Sequence, residues 1–155
     1  MMTEYLTWQS ELATQKFAER LAQKSLLRSA NIQLSGDLGS GKSTFTRYLL
    51  RELGVTGIIK SPTYAVVEEY RVVNSSTEQK IWHFDFYRFN DPSEWEDAGF
   101  KDIFASEGLK ISEWSEKAVG YLPTPDLHIN IQIQDNDQRQ VTVNAFSEKG
   151  RLLLE

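Results

Sequence analysis

The sequence predicts an α/β fold: a mixed sheet, parallel at its centre and ending in an antiparallel C-terminal hairpin, flanked by helices. Three observations carry this. A short β-compatible run at 31–36 passes through a glycine-rich loop into an amphipathic helical pattern at 42–53. Two stretches rich in aromatic and β-branched residues, 63–73 and 80–89, lie on either side of the polar, turn-like NSSTEQ and read as neighbouring strands. The alternation in LHINIQIQ (127–134) and QVTVNAF (140–146), around DNDQ, is that of a hairpin with one buried face.

Taken in order, SELATQKFAERLAQKSL (10–26) brings Leu12, Phe17, Leu21 and Ala22 towards one helical face, with Ser10 as its N-cap. NIQLSG (31–36) is a strand. In KSTFTRYLLREL (42–53), Phe45, Leu49 and Leu53 recur at helical spacing before Gly54, which stops the helix. DPSEWEDAGFKDIFAS (91–106) has Pro92 early, acidic residues in its first turn and Gly99 in the middle, so it divides into two short helices. LKISEW (109–114) is a further strand. The 155 residues show no repeat, low-complexity tract or linker, and 1–155 reads as one domain.

Hydrophobic content of 40% with 25% charged residues is that of a soluble globular protein. The absence of cysteine excludes disulfides, thiolate chemistry and cysteine zinc sites, and two isolated histidines argue against other metal clusters. A net charge of −5 argues against broad binding to nucleic acid, which relies on lysine and arginine to displace counterions. The start MMTEYLTWQSEL lacks a basic region followed by a long apolar run, and no stretch approaches the ~20 apolar residues of a membrane helix. The expected location is the cytoplasm, away from membranes.

Gly36, Gly41, Lys42 and Ser43 satisfy GxxxxGK[ST], the P-loop pattern, in the strand-to-helix context that the pattern requires. The backbone from Asp37 through Leu38, Gly39, Ser40 and Gly41 to Thr44 is then placed to meet phosphate with its N–H groups. Lys42 would reach the β- and γ-phosphates, and Ser43 would give its hydroxyl to Mg²⁺. Asp37 should turn away from phosphate and stabilise the turn. The competing reading is a glycine-rich connection that binds nothing, and the context favours the P-loop.

A P-loop enzyme also needs an acidic residue at the end of a neighbouring strand. Asp85 in IWHFDFYR is the first candidate and Glu113 in LKISEW the second; each is either a magnesium ligand or a solvent-facing carboxylate. In SPT (61–63), Thr63 is placed to offer a hydroxyl on the γ-phosphate side, with an ordinary turn into a strand as the alternative. Glu68 and Glu69 read as a solvated strand face, His83 as a core or hydrogen-bonded histidine, and Trp114 as core.

GDLGSGKSTFTRYL, KSPTYAVVEEY, HFDFYRFNDPSEWEDAGF, SEW and LPTPDLHINI resemble, in that order, the bacterial TsaE family, also called YjeE. The likeness also takes in LATQKFAERLA and the closing GRLLLE. It implies an ATPase needed to make N6-threonylcarbamoyladenosine at position 37 of tRNAs that read codons beginning with A. The partners implied are TsaB and TsaD, which transfer the group made by a TsaC-type synthase, so tRNA is met only through the complex. By motif position the resemblance gives Lys42, Asp85, Glu113 and Thr63 catalytic roles and makes Ser43, Asp85 and Glu113 the magnesium ligands. It adds Thr14 and Trp114 to the nucleotide contacts of the loop, 37–44. Ser115 stands where the family usually has proline, and Ser43 where threonine is commoner. The competing functions are a small-molecule kinase, which would need a lid with clustered arginines, and a non-catalytic nucleotide-gated binding module. A GTPase is disfavoured by the lack of NKxD.

Overall fold

Seven strands form one mixed sheet in the order β1-β7-β6-β2-β5-β4-β3 in the computed structural model, which describes residues 1–155. The strands are β1 (Met2–Trp8), β2 (Asn31–Ser35), β3 (Val67–Asn74), β4 (Thr77–Asp85), β5 (Leu109–Glu113), β6 (Leu127–Ile133) and β7 (Arg139–Ala145). β6, β2, β5 and β4 run parallel, while β3 on one side and β7 and β1 on the other pair antiparallel. The parallel strands therefore point their C-terminal ends, Ser35, Asp85 and Glu113 among them, at one rim. Ligands of open α/β sheets bind at that rim.

Alternation on each strand divides the sheet into two faces. Ile32, Leu34, Ile111, Ile129 and Val143 pack against Phe17 and Leu21 of α1 (Glu11–Ala22) and Phe45 and Leu49 of α2 (Lys42–Glu52). On the other face Trp82 and Phe84 meet Phe86, Trp95 and Phe100, the last two carried by α3 (Glu94–Asp97) and α4 (Phe100–Ala105). Gly99, at φ +78°, separates those two short helices as expected.

Several boundaries differ from the sequence reading. The first helix ends at Ala22, residues Ser25–Ser29 form a separate 3-10 turn, and Leu12 is 56% exposed and off the buried face. Ser10 is the N-cap residue, but its side chain makes no capping bond; its carbonyl accepts Ala13 N–H at 3.0 Å. The strand expected from residue 63 begins at Val67, because Val66 N–H bonds the Pro62 carbonyl at 2.8 Å and closes a turn there. The next strand ends at Asp85, whose Oδ1 accepts Tyr87 N–H at 2.9 Å and bends the chain away. Two elements are additional: β1, and α5 (Glu148–Leu153), capped by Ser147 Oγ accepting Gly150 N–H at 3.0 Å. No helix is long and apolar enough to cross a membrane.

Candidate functional site

At the end of β2 the backbone enters a left-handed region at Gly36, φ +143°. A Cβ there would lie 2.3 Å from the Ile131 carbonyl oxygen and 2.6 Å from Ser40 Oγ, so no other residue fits without moving β6 or the loop. Ser40 N–H donates to the Asp37 carbonyl at 3.0 Å and tightens the turn. Gly41, at φ +117°, is the N-cap of α2 and offers no side chain to its first turn. The leading N–H groups of an eleven-residue helix thus have no side-chain cap and face outward with the positive end of the helix dipole.

Above this loop lies a cavity of ≈ 240 Å³ lined by Leu38 to Thr44, and closed by Ser61, Thr63, Asp85, Glu113, Trp114 and Arg139. The structure therefore brings together Leu38, Gly39, Ser40, Gly41, Lys42, Ser43, Thr44, Thr63, Asp85, Glu113 and Trp114. Two other residues singled out in the sequence lie elsewhere. Asp37 is exposed and does not line the cavity; its contribution is the carbonyl that closes the turn. Thr14, buried on α1, lines a second, adjoining cavity with Ser10, Glu11 and Asp137. Ser40, Gly41, Thr44 and Arg139 line both.

Asp85 and Glu113 are direct register partners on parallel β4 and β5, and are only 8% and 5% exposed. Burial pushes the Asp85 carboxyl above its ordinary value, because a low-dielectric setting disfavours its charge; the Tyr87 N–H opposes this rise and the Glu113 charge adds to it. Glu113 Oε2 lies 2.6 Å from His83 Nε2, so the imidazole fixes the carboxylate from within the sheet. His83 Nδ1 is buried with no partner, so Nε2 is the ring's only tether.

Lys42 is 6% exposed, donates to the Gly36 carbonyl, and lies 4.5 Å from the centre of the Trp114 ring. Trp114 sits at φ +57°, a left-handed conformation that turns the indole over the lysine immediately after Glu113. The SPT segment faces them: Ser61 Oγ and Thr63 Oγ1 are 2.7 Å apart, and Arg88 Nε donates to the Thr63 carbonyl at 3.2 Å. Val66, a β-branched residue at φ +69°, accepts Asp85 N–H on its carbonyl at 2.8 Å. The strained backbone after Thr63 is thus bonded directly to the residue that carries the Asp85 carboxylate.

A family model described as "Threonylcarbamoyl adenosine biosynthesis protein TsaE" matches residues 8–141, which takes in the loop, both carboxylates and Arg139. The chain belongs to the TsaE family. It is 40% identical over 139 residues to a TsaE of Haemophilus influenzae, covering 90% of this chain and 85% of that one. It is 35% identical over 124 residues to a TsaE of Bacillus subtilis, covering 80% and 75%. Both relatives are named tRNA threonylcarbamoyladenosine biosynthesis proteins. The crystal structure of Bacillus subtilis YdiB superposes with a TM-score of 0.77 at 27% identity, covering 99% of this chain and 94% of that one.

One residue that lines this TsaE-family cavity, Arg139, is not singled out by the sequence, and His83, which does not line it, supports it from behind through Glu113. Arg139 falls between the turn DNDQ and the strand QVTVNAF and carries no motif, and only the register of β7 with β6 and β1 brings it to the loop. His83 is both buried and hydrogen-bonded, in line with the expected core or hydrogen-bonded role, but its partner, thirty positions away, follows only from the pairing of β4 with β5. The alternation of His83 with Asp85 was the one available signal. No group of three or more His, Asp or Glu side chains is arranged to hold a metal ion.

Proposed function

We propose that this protein binds ATP over the glycine-rich loop and hydrolyses it with Mg²⁺, supporting formation of N6-threonylcarbamoyladenosine at position 37 of tRNAs that read codons beginning with A. The observation that carries the reading is the Asp85–Glu113 pair, set in register at two strand ends and opening into the same cavity as Lys42 and Ser43. The donor set fits a magnesium nucleotide: an ammonium group, an exposed hydroxyl at the start of α2, two carboxylates and uncapped helix N–H groups.

On this reading Ser43, Asp85 and Glu113 would hold the cation, which when bound neutralises phosphate charge and acts as a Lewis acid. Lys42 exchanges the Gly36 carbonyl for phosphate oxygens. Thr63 offers its hydroxyl from the facing segment, and His83 keeps Glu113 from swinging out of line. Support for the pathway comes from the relatives' names, and support for one domain over 1–155 from the single sheet that runs from Met2 to Ala145. Residues 1–155 are spent on that sheet and its helices, and their acidic balance disfavours independent capture of tRNA. The working unit is therefore a cytoplasmic complex with TsaB and TsaD. ATP hydrolysis by the full chain, measured alone and with TsaB and TsaD, tests it: slow turnover alone and faster turnover with partners are expected, and no turnover in either case overturns the ATPase reading.

A further inference from the structure

We propose that Arg139 is a nucleotide-binding residue that contacts the α-phosphate side of the bound nucleotide while holding the crest of the loop; this rests on the nucleotide reading above. Its Nε donates to the Ser40 carbonyl at 2.7 Å and its Nη1 to the Asp137 carbonyl at 2.7 Å. Nη2 has no protein partner, and no carboxylate lies within ion-pairing distance of the guanidinium. By contrast Arg20, Arg71 and Arg151 are each paired with glutamate. Arg139 is thus a cation oriented by two neutral acceptors, with one donor edge and its whole charge left over beside an anion-binding loop.

Its position selects which part of the nucleotide it meets. Lys42, Asp85 and Glu113 line the first cavity only, whereas Arg139 borders that cavity and the adjoining one, where Thr14 lies. The loop residues that it shares with both are Ser40, Gly41 and Thr44, and a Cβ placed on Gly41 would be 3.8 Å from Arg139 Nε. In a loop of this type the backbone takes the α- and β-phosphates and the lysine the β- and γ-phosphates. Arg139 therefore stands on the α-phosphate side, a part common to ATP and ADP.

The test is equilibrium binding of fluorescent ADP and ATP analogues to the full chain and to Arg139→Gln and Arg139→Lys, at several salt concentrations. The expected result is a loss of about 10- to 100-fold for Arg139→Gln, the range for one charge-assisted contact, by the same factor for both nucleotides. Its salt dependence should also be flatter than that of the unmodified chain, which a purely structural role would not produce. Arg139→Lys keeps a charge without the planar fork; its loss should be smaller and again equal for both, and it carries the test if the glutamine variant does not fold. Unchanged ADP affinity in a folded variant overturns the proposal, as does a loss confined to ATP, which would place the guanidinium at the γ-phosphate. An unmodified chain that binds neither nucleotide would instead overturn the nucleotide reading itself.

Discussion

Glu113 and His83 form a buried pair, Oε2 to Nε2 at 2.6 Å, between neighbouring parallel strands, and both side chains are almost wholly enclosed. Removing the imidazole leaves a buried carboxylate without its partner. His83→Ala should lower stability by about 1–3 kcal/mol and reduce ATP turnover more than nucleotide affinity. Urea unfolding together with steady-state rates checks both; a variant with unchanged turnover would limit the pair to a structural role.

Asp85 makes the opposite trade. Its carboxyl is held above the ordinary value, chiefly by burial, so between the unfolded and folded values the native state keeps a proton that the unfolded chain has released. Stability contributed by this group therefore falls as pH rises through that window and stays reduced at neutral pH. Asp85→Asn, which can still accept Tyr87 N–H, should be more stable than the parent at pH 7. The gain should vanish below about pH 4, where the carboxyl is protonated in both states. Turnover should fall by orders of magnitude while nucleotide affinity falls less. Melting curves across pH and an ATP titration decide it; a constant stability difference at all pH values would show that charge is not the cause.

Lys42 lies between the Gly36 carbonyl and the Trp114 ring, so its departure toward phosphate must change the surroundings of that indole. Adding ATP should change tryptophan fluorescence, and Trp114→Phe should abolish most of the change while three other tryptophans remain. Lys42→Ala should fold normally and lose about 10- to 100-fold or more in nucleotide affinity. Near-normal hydrolysis by that variant would rule out the phosphate role of the lysine.

Gly36→Ala should be severe, because the new methyl would lie 2.3 Å from a backbone oxygen of β6 at a φ of +143°. A loss of about 3 kcal/mol or more is expected, or a displaced loop that no longer binds nucleotide. Gly39→Ala, with nothing within 4 Å of its added methyl but a φ of +79°, should cost about 1–2 kcal/mol. Denaturant curves for the two variants give the comparison, and equal costs would refute the steric argument.

The central architecture was legible because its signals are local: the alternation in 127–134, the strand-to-helix context of the loop, and Gly99 between two short helices. β1 was hidden because its inward positions include Glu4, which is tolerated only because Arg20 of α1 meets it at 2.9 Å. α5 was hidden by Gly150, which reads as a helix breaker but is required where a Cβ would lie 2.1 Å from the Asp126 carbonyl oxygen. At the site the same division holds. Lys42 and Ser43 lie within one motif, and the two carboxylates could be named as strand-end residues. That Asp85 and Glu113 stand side by side, and that Arg139 joins them, depends on which strand pairs with which.

The pairing of β1 with β7, Met2 opposite Ala145 and Trp8 opposite Arg139, has a consequence for biosynthesis. During synthesis β1 has no partner until the chain has been made past Ala145, whereas the strand, loop and helix that carry Lys42 are contiguous and can associate early. At about 5–20 residues per second, an unpaired strand edge is exposed for several seconds in every round of translation. A stalled or truncated chain would present the glycine-rich loop without Arg139 beside it, together with a free edge open to aggregation.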